Sequence, residues 1–355
     1  MAITHVPSRM PGLGALILLG LLSAGCTTLP DVKSFADSTA ALAAAAGTQY
    51  HDISSSTSAL RIEKFDVETV DEFNARTKGI PDQQKSIEAT GRSLDALFEA
   101  MTTYSEKLTS LASAGKSGRE AVQSLVTSVK GFEDLAGIAA PEVSSAASAI
   151  TSAFESFADE ITKRQAKVSL ADAADAAQPA VDIVAKQFQV IYATVLDNSS
   201  AFIRDTAKRQ ARTAAGNSVI GFNDKVTRNY NTYYQFLNGL VPDVKGAGPD
   251  ADLWHGFCVK QATPCRPVSE LEAVGLVEAR MAAIHPIVAA YQLKAADIEA
   301  AFEQRRKADA AVVKAVQAWA LEHQKLRSSL RDGTPLSAFN LRAALVELEG
   351  LLGRK

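Results

Sequence analysis

The chain is poor in the residues from which active sites are usually built. In 355 residues it has five histidines, three cysteines and two tryptophans, and aromatic residues make up only 6%. No histidine follows a glutamate by three positions, so the Glu-x-x-His arrangement of four-helix di-iron centres is excluded. Gly-x-Ser-x-Gly, P-loop, His-Glu-x-x-His and Cys-x-x-Cys-His motifs are missing too. The sequence thus offers no familiar template for acyl transfer, phosphate cradling, zinc hydrolysis or haem attachment. No catalytic residue, metal or cofactor is expected, and the chain does not read as an enzyme. Sustained alternation of β-branched residues is absent, which argues against a sheet. Arg9 is the only charge in the first 25 residues; beyond it the basic residues nearly balance 40 acidic ones, leaving a net −4. Such a balance gives no global attraction to nucleic acid. Beyond residue 25 no segment has the roughly 20 apolar residues of a membrane span.

What is present begins at the N-terminus. Arg9 and the terminal amine supply positive charge, and Leu13 to Leu22 forms a ten-residue apolar run. That is the length of a signal h-region and too short to span a bilayer comfortably. Ser23, Ala24 and Gly25 then lead to Cys26.

The segment Leu22-Ser23-Ala24-Gly25-Cys26 resembles the lipobox of bacterial lipoproteins, most closely at Ala24, Gly25 and Cys26. Ser23 stands where leucine is commoner. The resemblance implies cleavage by signal peptidase II between Gly25 and Cys26, and a lipid on Cys26. Two or three acyl chains anchor firmly where one does so only marginally. Thr27 stands where an aspartate would imply inner-membrane retention, so the implied location is the outer membrane, facing the periplasm. The resemblance covers about 26 residues; the rest of the chain resembles no family.

From Asp31 onward, Ala, Leu, Glu, Lys and Gln dominate, all good helix formers. Five stretches step by alternating threes and fours. They run from Ile87 to Leu111, Val122 to Phe132, Val143 to Ile161, Ala177 to Phe202 (through Val195 and Asn198), and Val219 to Leu240. This spacing keeps one apolar seam facing a partner helix. Gly79-Ile80-Pro81 precedes the first stretch, Gly216 breaks between the fourth and fifth, and Ser269-Glu270-Leu271-Glu272 opens a long helix to about Leu330 that contains Pro286. The helix around residues 170–213 should be about 65 Å long. The fold expected is all-α: an elongated antiparallel bundle with long coiled-coil-like helices, its core built from close, alanine-rich helix contacts. Residues 1–25 are the signal and 26–80 a lipidated tether with a first helix, weakly periodic around Ser54-Ser55-Ser56. Residues 81–241 are the bundle, 242–268 an irregular loop and 269–355 the C-terminal helices.

The irregular loop holds Cys258 and Cys265. In an exported chain they point to a disulfide stapling it, worth about 2.5 kcal/mol on the chain-entropy argument. A metal site of Cys258, Cys265 and His255, with Asp252, is the weaker reading because no close cysteine pair is present. Trp254 and Phe257 beside the staple are candidate partner contacts, as are Tyr230 and Tyr234, which share a helical face. The Arg204, Lys208, Arg212 stripe and the Arg305-Arg306-Lys307 cluster read as solvated helix faces; His285 and His323 read as packed or surface histidines. Leu135 to Phe154 carries only Glu142 as a charge and loosely resembles the apolar hairpin of α-helical pore-forming toxins, but Pro141 splits it and serines dilute it. The expected function is a lipid-anchored envelope protein acting as a structural or interaction module. Its partners are the membrane through Cys26 and an unidentified envelope or cell-wall component, with no nucleic acid. The alternatives are a membrane-active protein of pore-forming type or a metal or enzymatic protein using residues 252–265.

Overall fold

A computed structural model describes residues 32–66, 68–114, 119–128, 132, 143–164, 168–228, 270–334 and 339–353. Among them the chain is all-helical. In order come α1 (Val32–Ser58), α2 (Val70–Thr77), α3 (Ile80–Ala114), α4 (Arg119–Ser128), α5 (Ser144–Arg164), α6 (Leu170–Ile191), a single π turn (Tyr192–Leu196), α7 (Asp197–Ala215), α8 (Asn217–Arg228), α9 (Glu270–Asp332) and α10 (Phe339–Leu351). None of these helices is long and apolar enough to cross a membrane. Cys26, Tyr230, Tyr234, Asp252, Trp254, His255, Phe257, Cys258 and Cys265 lie outside the described residues.

The helical seams bury as their spacing requires. In α3, Ile87, Leu94, Met101, Tyr104 and Leu108 are all inaccessible, and in α5 so are Ile150, Phe154, Phe157 and Ile161. These faces meet α1, α6 and the second half of α9 in one apolar core. Inside it Phe154 stacks on Phe132 with ring centroids 3.7 Å apart. A smaller cluster lies apart, where Ile220, Phe222 and Val226 of α8 pack on Val277, Ile284 and Val288 at the start of α9.

Helix ends follow local chemistry. Thr69 and Glu72 form a reciprocal capping box at α2, and Ser169 and Asp172 form another at α6, each satisfying amides that no helical carbonyl reaches. Gly216, at φ 91°, ends α7, in a conformation that side chains with a Cβ rarely adopt. Gly91 serves packing instead. A Cβ there would sit 1.7 Å from the Tyr50 ring, whose hydroxyl donates to the Ile87 carbonyl. The absent side chain lets α1 lie against α3.

Ser54-Ser55-Ser56, weakly periodic in the sequence, belongs to α1. Hydroxyls in this helix bond backward to carbonyls, Ser55 to Asp52 and Ser58 to Ser54, and Phe35, Leu42 and Ile53 are fully buried, so core packing outweighs weak propensity. The long seam of α6 shifts. After the π turn, Ser199 and Ile203 are buried while Asn198 is exposed and Phe202 only half-buried. One extra residue in the helical ladder turns every later side chain by about 100°.

Candidate functional site

Two polar features stand out, and their surroundings give them different capacities. The first is sealed in the core. His323 of α9 has no exposed surface. Its Nε2 lies 2.8 Å from the Tyr104 hydroxyl and its Nδ1 2.8 Å from Gln178 Oε1. Gln178 donates its amide to Asp182 at 2.8 Å, which turns its carbonyl oxygen toward the histidine. The ring must then donate from Nδ1 and accept from Tyr104 at Nε2. Burial holds the His323 imidazole down at about 3 and pushes the Tyr104 phenol well above its ordinary range. Both stay neutral at physiological pH. Nearby, Trp319 Nε1 and Ser105 Oγ each donate to Thr39 Oγ1 at 3.1 Å. The network joins α1, α3, α6 and α9. It has every partner it needs and no access, so it fixes helix register rather than binding a ligand. His285, by contrast, is exposed.

The second feature is a groove of about 890 Å³ between α7, the first half of α9 and the end of α1. Its α7 wall is Ile203, Ala207, Ala211 and Ala214; opposite lie Ala290, Ile298 and Phe302. Small side chains at i, i+4 spacing make a smooth face. Where three helices converge, such faces pack tightly; here the third side is open, so the alanines expected in close contacts leave a channel.

The lip comes from the segment joining α1 to α2, through Leu60, Arg61 and Phe65. Arg76 pins this segment. Its guanidinium donates to Glu68 at 2.8 and 3.0 Å, to the Arg61 carbonyl at 2.8 Å and to the Glu63 carbonyl at 2.6 Å. It also lies 4.7 Å from the Phe65 ring centroid. Arg76 and Glu68 are each 3% exposed. The hydrogen bonds from Arg76 hold the Glu68 carboxyl below the usual range against the opposing effect of burial.

Among the described residues, four cations and no carboxylate line the groove: Arg61, Arg204, Lys294 and Arg305. Arg204 lies 4.4 Å from the Phe302 ring centroid and pairs with Asp205 at 2.8 Å. Arg305 is half-buried and donates to Ser56 Oγ at 2.7 Å. Burial draws its guanidinium below the ordinary value, while Asp309 and Asp52 act in the other direction. Among the described residues no carboxylate forms a salt bridge with Arg61, Lys294 or Arg305. Near this end Asp309 is 1% exposed and accepts from Gln49 at 2.6 Å, and its Oδ2 has no hydrogen-bond partner among the described residues. Desolvation lifts its carboxyl to about 6.

The basic stripe expected on a solvated face is instead a helix contact. Lys208 pairs with Glu299 of α9 and Arg212 with Asp224 of α8. Arg306 pairs outward with Glu303 and Asp197, whereas its neighbour Arg305 faces the groove. From Ser144 to Phe154 the apolar stretch is part of α5, with Ala146, Ala147, Ile150 and Phe154 buried. Among the described residues no three His, Cys, Asp or Glu side chains gather as metal ligands. The groove itself was not legible, because its walls are some eighty residues apart in the chain. The apolar face Ile203, Ala207, Ala211 lies one position from the basic stripe and was its only trace. No family model, curated protein or solved structure matches this chain.

Proposed function

We propose that the chain is a bacterial envelope lipoprotein that acts by binding. Signal peptidase II would cut before Cys26, and lipid on Cys26 would hold the helical body at a membrane, in the outer membrane facing the periplasm. The body is an elongated antiparallel bundle with coiled-coil-like helices, its 242–268 loop stapled by Cys258 and Cys265. Trp254, Phe257, Tyr230 and Tyr234 offer contacts to an envelope partner.

The observation that carries a binding role is the groove. It is concave, mostly apolar and rimmed by cations, the form of a ligand site. Among the described residues its lining brings no nucleophile beside a base and no acid–base pair together, which favours recognition over bond-making. His323 and Tyr104 are locked into each other in the core instead.

The test is metabolic labelling with radioactive palmitate, followed by membrane fractionation. The wild-type chain should carry label and sediment with membranes; Cys26→Ser should lose both. Equal sedimentation of an unprocessed, unlabelled wild type would contradict the anchor. A thiol titration of denatured protein checks the staple: no free thiol at Cys258 and Cys265 is expected.

A further inference from the structure

We propose that the groove between α7 and α9 binds a single-chain anionic amphiphile, a long-chain fatty acid or a lysophospholipid, with its acyl chain along the alanine-lined floor and its head at Arg305. The proposal rests on the binding role just given and names its ligand.

Shape argues for a chain. From Ile203 to Ala215 the α7 wall runs about 18 Å at 1.5 Å per residue, close to the acyl layer of one leaflet, half of a roughly 30 Å hydrocarbon core. The volume of about 890 Å³ lies within the roughly 300–1,000 Å³ of sites that enclose a small ligand. The floor presents methyl groups from both sides and almost no hydrogen-bonding groups. A peptide strand would leave its amides unsatisfied there, whereas a hydrocarbon chain would not.

Charge argues for an anion. A half-buried cation normally pairs with a carboxylate, yet among the described residues the Arg305 guanidinium donates to the Ser56 hydroxyl instead, with Asp309 and Asp52 acting on it only from beyond hydrogen-bond distance. Arg61 and Lys294 lie along the same lining. The groove also changes character at Arg305. Ser56, Ala301 and Arg305 are shared with a second recess of about 240 Å³ whose other walls include Gln49, Asp52, Ser55 and Gln304. Apolar floor, cation and polar recess follow one another in the order of chain, charge and hydrated head. Asp52 lines the recess and Asp309 lies near Arg305; both would disfavour a head that reaches deep into the recess. Asp205, Glu299 and Glu303 act on Arg204, and Asp309 and Asp52 act on Arg305 without pairing with it, so every cation of the lining except Arg204 is open to a hydrogen-bonded anion.

The experiment uses the chain from residue 26 with Cys26→Ser, so that no acyl group of its own competes. Binding of cis-parinarate is followed by fluorescence in detergent-free buffer, and displacement by palmitate, lysophosphatidylglycerol and uncharged hexadecanol is compared. One site per chain is expected, emptied by palmitate or lysophosphatidylglycerol and much less well by hexadecanol; which anion is stronger separates a free fatty acid from a phospholipid product. Arg305→Met should weaken the anions by roughly 10- to 100-fold, the range for losing a charge-assisted hydrogen bond, and leave hexadecanol unchanged. Ala211→Trp should block the floor and abolish binding of all three, with circular dichroism and thermal melting confirming that it folds. Absence of parinarate binding, equal displacement by hexadecanol, or full binding in a folded Ala211→Trp chain would each overturn the proposal. Such a failure alongside palmitate labelling at Cys26 would remove the ligand and leave the anchor standing.

Discussion

The two halves of α9 are one continuous helix in two different surroundings. From Phe302 onward its seam is enclosed: Val312, Val316, Trp319 and Leu326 are inaccessible among α1, α6 and α10. From Glu270 to Ala301 its neighbours among the described residues are α7, α8 and, at the groove, the end of α1 with the lip that follows it. There Val277, Ile284 and Val288 are buried, but Ile287 is 42% and Leu293 70% exposed. Helix propensity is similar in both halves, so it sets neither burial nor stability. The number of neighbouring helices does. The groove lies where the enclosed half gives way to the open one, and it is made of the same alanine faces that pack tightly further along.

The largest test of this contrast removes the clamp on the groove's lip. Arg76→Met leaves Glu68 buried without its partner and should cost about 3–5 kcal/mol, read by urea denaturation. It should also loosen the Arg61–Phe65 lip and lower parinarate affinity. Because Glu68 is held below its ordinary value, its contribution is present above the unfolded carboxylate range. It is lost as pH falls through the lowered value, so the gap between wild type and Arg76→Met should narrow in acid. On α9 itself, Trp319→Ala in the enclosed half should cost about 3–5 kcal/mol, while Leu293→Ala in the open half should stay within about 0.5 kcal/mol. Comparable losses at the two positions would break the contrast.

Smaller effects sharpen it. Tyr104→Phe strands His323 Nε2 without a donor and should cost about 1–3 kcal/mol. Asp309 works in the opposite sense. Its carboxyl is raised from 3.8 to about 6, so the folded chain holds a proton that the unfolded chain releases. Stability is therefore lost as pH rises between those two values and does not return above them. Asp309→Asn, which keeps the acceptor for Gln49, should be the more stable protein at pH 7.5 by about 1–3 kcal/mol and lose that advantage near pH 4. Matching pH profiles for the two proteins would refute this account of Asp309.

Much of this architecture is written in periodicity. Every α3 position from Ile87 to Leu111 that the spacing assigns to a seam is buried, because a helix packed on one side admits no other pattern. Gly216 as a break and the long helix through Asp332 follow from terminators that act within a turn or two. The shift from Asn198 and Phe202 to Ser199 and Ile203 could not be read this way. A π turn is a response to packing on both sides of it and leaves no residue-type signal. Arg76 with Glu68 was equally hidden, since an eight-residue spacing on either side of a turn resembles any pair of surface charges. The groove was hidden for a further reason: alanine signals close contact and open space alike, and only the position of the third helix decides between them.

Hydrogen exchange of the Cys26→Ser chain with and without palmitate tests the central claim most directly. The account predicts that amides in 203–215 and 286–305 become more protected on adding palmitate, while 311–326, already enclosed, do not change. Unchanged exchange along α7 and the open half of α9, or protection spread evenly over the whole of α9, would contradict it.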